Sequence, residues 1–347
     1  MVNRILAVST GGLGDAILFS PVIKALRNGY PHAEIELLVS SNIVAEAYAS
    51  AHEINQIITL DLNRSIFPGK ILQFLGFILK TQLKGSYDLG VFATGLNPKM
   101  SSILTLSGTI KQRSCAISPP KLPTDFLCNL KLAARYDRNI SRNDVFIPIT
   151  EIALKGVDKA LREYNLYVGT DTFVAIYPSV NLAHRPRWRL SSMIKAVHHL
   201  KKLMPGKKFA VVGSETEGLE WGELDQQGVV DANLAGRLTI TESVAFISRC
   251  VLALCNDGGL MHVAGAVGCP LVAIMPYTSP TYAPPGDETM IVSSQNYNNI
   301  SNRYSNQNKA PFTEDISIDE VCRASIRLIG QQESQVEFGF STKTGIK

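Results

Sequence analysis

The 347-residue chain lacks several patterns that would assign it to a specialised class of protein. No apolar run reaches the roughly 20 residues of a bilayer span. The segment after Met1 has the length of a strand and not the pattern of a signal or transit peptide. No C-x-x-C pair occurs among the cysteines, which excludes common metal and disulfide-scaffold spacings; they stand at positions 115, 128, 250, 255, 269 and 322. We therefore expect free thiols and a cytoplasmic location.

Two common nucleotide-binding loops are also missing. No P-loop with G-K-[ST] is present, and the segment "STGGLGD" meets the dinucleotide fingerprint G-x-G-x-x-G only in part. Gly12 and Gly14 fit its first two glycines, but Ile17 stands at the third. A bulky side chain there argues against a nicotinamide or flavin dinucleotide. No Asp-x-Asp pair stands at a strand end, so we expect neither a metal nor another cofactor.

Charge is unevenly distributed along the chain. Residues 64–142 carry twelve Lys or Arg against three Asp or Glu, a net of +9, although the whole chain carries only +4. A basic first half and an acidic remainder indicate an anionic partner for the first half. A solvated basic surface without a dedicated ligand is the alternative.

Strand-like apolar runs alternate with helical patterns over most of the sequence. This rhythm predicts an α/β protein with parallel sheets covered by helices on both faces. It lapses over residues 107–150 and then restarts, which predicts two doubly wound, Rossmann-like domains, 1–160 and 161–330. A late helix is predicted at Ser317–Ile329, and the polar segment 331–347 is predicted to be a flexible tail.

The most apolar window, Lys70–Leu83, has helical spacing of its apolar residues. Lysines interrupt it, so it is too short in apolar length to cross a bilayer. Two interpretations remain open: a helix that faces the core, or a helix that also contacts a membrane surface.

Three segments at predicted strand ends carry residues suited to chemistry. The first is the turn with Gly11, Gly12 and Gly14, which presents Asp15 either as a reactive carboxylate in a cleft or as a helix cap. The second, Cys255–Pro270, places Gly258 and Gly259 at a helix start that favours phosphate. In it Asn256 and Asp257 are candidate caps, and His262 is either a phosphate donor or a structural histidine.

The third segment, "YPSVNLAHRPRWRLS", follows a strand and leads into a helix. Its three arginines, Arg185, Arg187 and Arg189, beside a tryptophan suit a clamp for a diphosphate. A basic surface loop is the simpler alternative.

Together these segments resemble glycosyltransferase family 9, the ADP-heptose lipopolysaccharide heptosyltransferases. The resemblance spans about residues 3–330 and is carried by "GGLGDAILFSPVIKAL", "YDLGVFATGLNPKMSSILTLSG", "RPRWRLS", "VVGSETE", "NLAGRLTITESVAFISRC" and "CNDGGLMHVAGAVGCPLVAIMPYTSP". It implies the GT-B fold, in which two Rossmann-like domains face each other across a cleft. It also implies metal-independent, inverting transfer of a heptose or related sugar from an ADP-sugar to a lipopolysaccharide core or similar anionic glycan. Peripheral contact with the inner face of the cytoplasmic membrane is part of the same expectation.

The resemblance also implies roles for individual residues. Asp15 matches the general base, Leu238 the adenine-contacting stretch, and Glu215 or Glu217 the ribose-binding acid, with Glu217 the better fit in spacing. The remaining donor-binding matches are Ser179, Arg185, Arg187, Asp257, Gly258, Gly259, Met261 and His262. Candidate acceptor contacts in the basic half are Lys99, Lys111 and Arg113. Two positions depart from the family pattern: Gly258 replaces Ser or Thr, and Leu260 replaces Pro.

Alternatives to this function remain open from the sequence. A protein acceptor is possible within the same family, and a sugar-nucleotide epimerase shares the GT-B fold. A non-catalytic nucleotide-sugar binder is the third. Epimerase chemistry needs several carboxylates and histidines around the sugar, whereas the glycine loops offer chiefly Asp15.

Overall fold

A computed structural model describes residues 2–60, 68–93, 98–115, 125–178, 187–224, 228–275, 283–293 and 315–341. The chain forms two compact units: Met1–Pro148 with Ser279–Pro285, and Ile149–Thr278 with Gly286–Lys347. The division therefore falls about a helix earlier than the predicted boundary after residue 160. The helix concerned packs against a later helix of the second unit, which explains its membership there.

The first unit contains a five-stranded parallel sheet in the order β3-β2-β1-β4-β5. A short 3-10 turn, Arg142–Asp144, closes the unit. The elements are β1 Arg4–Ser9, α1 Leu13–Gly29, β2 Glu34–Val39, α2 Asn42–Tyr48, β3 Gln56–Thr59, α3 Pro68–Lys84, β4 Tyr87–Phe92, α4 Pro98–Leu106, β5 Ile110–Cys115 and α5 Asp125–Ala133.

The second unit contains a six-stranded parallel sheet in the order β11-β10-β9-β6-β7-β8. Its elements are α6 Glu151–Arg162, β6 Thr172–Tyr177, α7 Leu190–Leu203, β7 Lys207–Val211, α8 Glu215–Leu224, β8 Ala232–Asn233, α9 Ile240–Ile247, β9 Cys250–Asn256, α10 Gly259–Ala266, β10 Leu271–Met275, β11 Thr289–Ser293 and α11 Ile318–Ser341.

Burial explains why the central strands are apolar throughout. Residues Ile5 to Val8 of β1 are completely buried, and so are Leu252 to Leu254 of β9. A parallel strand with helices on both faces has no solvent side, so its sequence shows a continuous apolar run and not an alternation. In the second unit Trp188 and Trp221 are buried members of the hydrophobic core.

Several elements differ from the prediction. The stretch 107–150, expected to be irregular, contains β5 and α5 among its described residues. The late helix packs on α7 and on β9, β10 and β11 of the second unit, and it continues to Ser341 instead of ending at Ile329. The predicted flexible tail therefore begins as helix, and residues 342–347 lie outside the described ranges.

The cysteines are free thiols, as predicted. Most are buried, and burial raises the pKa of Cys269 to about 12, which suppresses the reactive thiolate.

Candidate functional site

Each sheet reverses its strand order at one point, and the predicted site segments follow the strands at these points. In the first unit the reversal lies between β1 and β4, and in the second between β6 and β9. Open parallel sheets of this kind bind ligands beyond the carboxyl ends of the strands at the reversal. The turn after β1 and the helix start after β9 therefore occupy the expected ligand-binding positions of their respective units.

In the first unit, the turn after β1 holds Asp15 at the start of α1. Gly12 is the N-cap, and its backbone N–H donates to Oδ2 of Asp15 at 2.8 Å. The capping alternative considered from the sequence is thus realised. The side chain is nevertheless exposed to solvent, so a carboxylate that accepts one backbone hydrogen bond lies beyond the carboxyl end of β1.

Gly11 must be a glycine because Asp15 lies against it. A Cβ at Gly11 would stand 2.2 Å from Oδ2 of Asp15 and 2.5 Å from its Cβ. Any larger residue would push the carboxylate out of its position. Gly14 lies in the first turn of α1, beside Asp15.

In the second unit, β9 ends at Asn256 and α10 begins at Gly259. Gly258 is the N-cap in an extended conformation, with φ 168° and ψ −175°, and it has no side chain with which to cap. The first backbone N–H groups of α10 therefore receive no side-chain hydrogen bond from the N-cap residue. Such a helix start, with the positive end of the helix dipole, favours an anion.

Asn256 does not cap α10, contrary to one of the alternatives considered from the sequence. Its side-chain amide is buried, and Nδ2 donates to the carbonyl oxygens of Pro178 at 2.7 Å and Trp188 at 3.1 Å. Asn256 therefore joins the end of β9 to the segment after β6, across the point where the strand order reverses. It is a positioning residue for the helix start.

Met261 and His262 lie in the first turn of α10 and are both buried, with His262 5% exposed. Burial at the N-terminal end of α10 agrees with the alternative that His262 is a structural histidine and not a phosphate donor. Asp257 is half-buried between β9 and the N-cap.

The arginine segment is described only in part. Ser179 and Arg185 lie outside the described residues. Arg187 is half-buried and directly precedes Trp188, whose indole Nε1 donates to the carbonyl of Ile316 at 3.0 Å. Because Asn256 and the buried indole both hold Trp188, the backbone of Arg187 is anchored beside the strand ends of β6 and β9.

The two candidate ribose-binding acids differ in accessibility. Glu217 is 3% exposed, and its Oε2 accepts a hydrogen bond from the backbone N–H of Ser214 at 2.5 Å. Glu215 is exposed at the start of α8. Spacing favoured Glu217, but the structure uses that side chain to cap α8 and leaves Glu215 accessible to a ligand.

Glu215 lines a cavity of about 430 Å³ at the carboxyl ends of β7 and β8. The other lining residues are Tyr164, Gly218, Leu219, Asn233, Ala235, Gly236 and Arg237. Gly236 has a φ of 74°, and a Cβ there would stand 2.6 Å from Cα of Glu215. Only glycine permits this approach, so Gly236 shapes the cavity, and Leu238 lies half-buried two residues further on.

The basic residues predicted to contact an acceptor do not share one place in the first unit. Lys111 lies near the amino end of β5, where its Nζ pairs with Asp88 at 2.8 Å. Asp15 lies at the other end of the strands, beyond the carboxyl end of β1. The position of Lys111 therefore favours a structural role over contact with an acceptor at Asp15. Arg113 is exposed near the middle of β5 and donates to Oγ of Ser102 at 3.1 Å. Lys99 is in the first turn of α4.

The described ranges contain neither a metal-binding cluster nor a membrane-spanning helix. No three His, Cys, Asp or Glu side chains in those ranges cluster closely enough to hold a metal ion. Of the helices in this part of the chain, none has the length and apolar character needed to cross a bilayer.

Comparison with known proteins gives matches at the level of sequence and of fold. A model described as "Glycosyltransferase family 9 (heptosyltransferase)" matches residues 206–311. Lipooligosaccharide heptosyltransferase 2 of Haemophilus influenzae is 25% identical over 314 residues, 83% of this chain and 88% of that protein. A family 9 glycosyltransferase structure from Veillonella parvula matches with a TM-score of 0.78 and 18% identity, covering 95% of this chain and 97% of that one.

The ADP-heptose lipopolysaccharide heptosyltransferase II structure from E. coli matches with a TM-score of 0.70 and 19% identity, covering 95% and 99% of the two chains. The predicted fold class is confirmed: the chain is α/β with two doubly wound parallel sheets, and its structural neighbours are heptosyltransferases of the GT-B fold. The family model over residues 206–311 and the heptosyltransferase relatives agree with the resemblance to glycosyltransferase family 9, and they indicate a glycosyltransferase.

Proposed function

We propose that this glycosyltransferase moves a heptose, or a closely related sugar, from an ADP-sugar to a lipopolysaccharide-core or similar anionic glycan acceptor. The observation that supports it best is the start of α10, where backbone N–H groups lie at the strand-order reversal of the second unit and the N-cap residue, Gly258, has no side chain to cap them. The Haemophilus and E. coli relatives bear heptosyltransferase names, which agrees with this donor. The basic character of residues 64–142 agrees with an anionic acceptor.

In the proposed reaction an acceptor hydroxyl attacks the anomeric carbon of the donor sugar. Asp15 accepts the hydroxyl proton as the new C–O bond forms, which is general-base assistance worth about 10²–10⁴-fold. The bond from the anomeric carbon to the β-phosphate oxygen breaks, and ADP leaves with the electron pair. Attack opposite the leaving group inverts the anomeric configuration.

The departing diphosphate gains negative charge as the bond breaks. The N–H groups at the start of α10 and the guanidinium of Arg187 are the groups we propose to stabilise it, because preorganised donors need no reorganisation during the reaction. Glu215, exposed on the cavity beside β7 and β8, is the carboxylate we propose for the ribose hydroxyls. The charge on the leaving group is met by the protein itself, so we propose that no metal takes part.

Asp15→Asn tests the catalytic part of this proposal. Asparagine keeps an oxygen that accepts from Gly12, so the fold and the capping bond are retained, but it cannot take a proton at neutral pH. We expect turnover of ADP-heptose with a lipid A–Kdo acceptor to fall by about 10²–10⁴-fold. Isothermal titration should give an ADP affinity within about twofold of wild type, since the substitution lies outside the donor-binding unit.

Arg187→Ala is the matched comparison, because it should weaken ADP binding instead. Equal turnover in Asp15→Asn and wild type would overturn the assignment of the base. Consumption of donor without acceptor, with a change of sugar configuration, would identify an epimerase. Binding of ADP-heptose without transfer by the wild-type protein to any glycan or protein acceptor would identify a binding protein.

A further inference from the structure

Helix α3 is apolar on two opposite faces, although a helix packed on one side of a sheet needs only one. Its inner face is buried against the core of the first unit, with Phe77, Ile78 and Thr81 each less than 9% exposed. Its outer face carries large apolar side chains in water: Leu72 is 69% exposed, Leu75 48%, Leu79 60% and Leu83 90%. A helix with apolar residues on all sides is normally covered on all sides.

The four leucines, here called the outer leucine stripe, are spaced by three, four and four residues. On an α-helix this spacing puts them on one face along about 16 Å of its length. Gly76 lies between them, with open space where a Cβ would be. Single exposed apolar residues are ordinary on protein surfaces, whereas a contiguous apolar surface of this kind indicates a binding surface.

The end of the stripe lies beside the end of α4, which extends the apolar surface. The side-chain amide of Gln82 donates to the carbonyl of Ser107 at 2.6 Å. The residue before Ser107 is Leu106, which is 87% exposed. Ile103, one turn earlier on α4, is 46% exposed.

The charges around the stripe are of one sign. The segment Pro68–Lys84 contains three lysines and no aspartate or glutamate. Lys80 and Lys84 are exposed and lie on the same flank of the helix, next to the leucines. They belong to the stretch 64–142, which has a net charge of +9.

We propose that the outer leucine stripe is a docking surface for an anionic lipid bilayer, on which α3 lies in the plane of the membrane interface. Leucines on one face with lysines at the flank are the arrangement of interfacial helices, because the leucines enter the acyl boundary while the lysines reach the headgroups. A second copy of this chain is a poorer occupant, since pairing two such faces would bring two sets of lysines together. The proposal stands independently of the sugar chemistry.

Vesicle sedimentation tests the docking surface directly. Wild-type protein is mixed with vesicles of phosphatidylcholine containing about 30% phosphatidylglycerol, and with vesicles of phosphatidylcholine alone. We expect the protein to sediment with the anionic vesicles and much less with the neutral ones. Raising the salt concentration to about 0.5 M should weaken sedimentation, because salt screens the lysine contribution.

The double variant Leu79→Ser with Leu83→Ser should bind the anionic vesicles at least about tenfold more weakly, since two exposed apolar side chains no longer enter the acyl boundary. Its circular dichroism and its ADP affinity should match wild type, because neither leucine is part of the core. Ile152→Ser is the matched control: Ile152 is 83% exposed on a helix of the other unit, and this variant should bind vesicles as wild type does.

Three results would overturn the proposal. The first is wild-type protein that stays in the supernatant with anionic vesicles. The second is equal vesicle binding by wild type and the double variant. The third is a dimer in light scattering that the double variant dissociates while vesicle binding is unaffected, which would assign the stripe to a second copy of the chain. None of these measurements involves a sugar donor, so failure here is distinct from failure of the proposed reaction.

Discussion

At the scale of single residues, Gly258 is the clearest departure from the pattern of the family. Its φ of 168° is extended backbone that any residue adopts, so the conformation does not require glycine. Serine is a favoured N-cap, because its hydroxyl accepts from the second or third N–H of the helix. We expect Gly258→Ser to fold normally and to raise the free energy of unfolding by a few tenths of a kcal/mol in urea titrations.

The same variant tests the donor site. A hydroxyl at position 258 would lie at the proposed diphosphate-binding site and could donate a hydrogen bond to a phosphate oxygen. We therefore expect ADP to bind severalfold more tightly in isothermal titration. Gly258→Ala is the control, because it adds a Cβ without a donor or acceptor and should not improve ADP affinity. Weaker ADP binding by the serine variant would show that the capping hydroxyl competes with the phosphate for the helix N–H groups.

The sequence predicted which residues form the site but not the contacts that their side chains make. The glycines and carboxylates of the site were recognisable, because a polar cluster directly after an apolar run is unusual. The sequence could not show that Glu217 is buried as a cap while Glu215, two residues earlier, is exposed. Nor could it show that Asn256 bonds to two carbonyls on another segment. Both facts depend on contacts set by the packing of separate strands.

At the scale of elements, Asp88 links three neighbouring strands of the first sheet near their amino ends. Its carboxylate accepts from the backbone N–H groups of Asn3 at 2.8 Å and Arg4 at 3.1 Å, and it pairs with Lys111 at 2.8 Å. These bonds connect β1, β4 and β5. The hydrogen bond from Lys111, together with the two backbone N–H groups, lowers the pKa of Asp88 to about 2.

A lowered pKa in the folded state means that the charged carboxylate stabilises the fold. The contribution is complete above the unfolded-state pKa of about 4 and is lost as the pH falls towards about 2. We expect Asp88→Asn to lower the free energy of unfolding by about 1 kcal/mol at pH 7, since solvent screening reduces the effect of a pair near the surface. The difference from wild type should shrink between about pH 4 and about pH 2 in urea titrations.

Lys111→Met is the companion variant, because it removes the ion pair and leaves both backbone hydrogen bonds. It should cost less stability than Asp88→Asn and should leave turnover unchanged, as Lys111 lies at the edge of the sheet opposite Asp15. A large loss of acceptor affinity in Lys111→Met would contradict this placement and restore the acceptor role.

Which elements were predictable follows from their burial. Strands β1 and β9 are covered on both faces, so their apolar runs were unmistakable. Strand β5, "IKQRSC", lies at the edge of its sheet, where three of its six side chains are exposed and only Ile110 is buried, and its polar sequence resembles a loop. Strand β8 has two residues, too few for any periodicity. The lapse of the pattern over 107–150 was therefore an effect of exposure and not of missing structure.

At the scale of the whole molecule, two doubly wound units in one chain separate the proposed tasks. Asp15, the proposed base, and the net positive stretch 64–142 belong to the first unit, whereas the start of α10, Arg187 and the cavity beside Glu215 belong to the second. The unequal charge of the chain follows this division. The proposed donor carries a diphosphate and needs a compact anion-binding site. The proposed acceptor is an extended anionic glycan and needs a broad basic surface.

If the protein alone neutralises the leaving diphosphate, binding of ADP should stabilise the fold with no help from a divalent cation. ADP at about 100 times its dissociation constant should add about 2.7 kcal/mol to the stability of the state that binds it. We expect the thermal midpoint to rise by the same several degrees in EDTA and in excess Mg²⁺, and by less in Arg187→Ala. A rise that appears only with Mg²⁺ would show that a metal ion, and not the helix start with Arg187, carries the charge of the diphosphate.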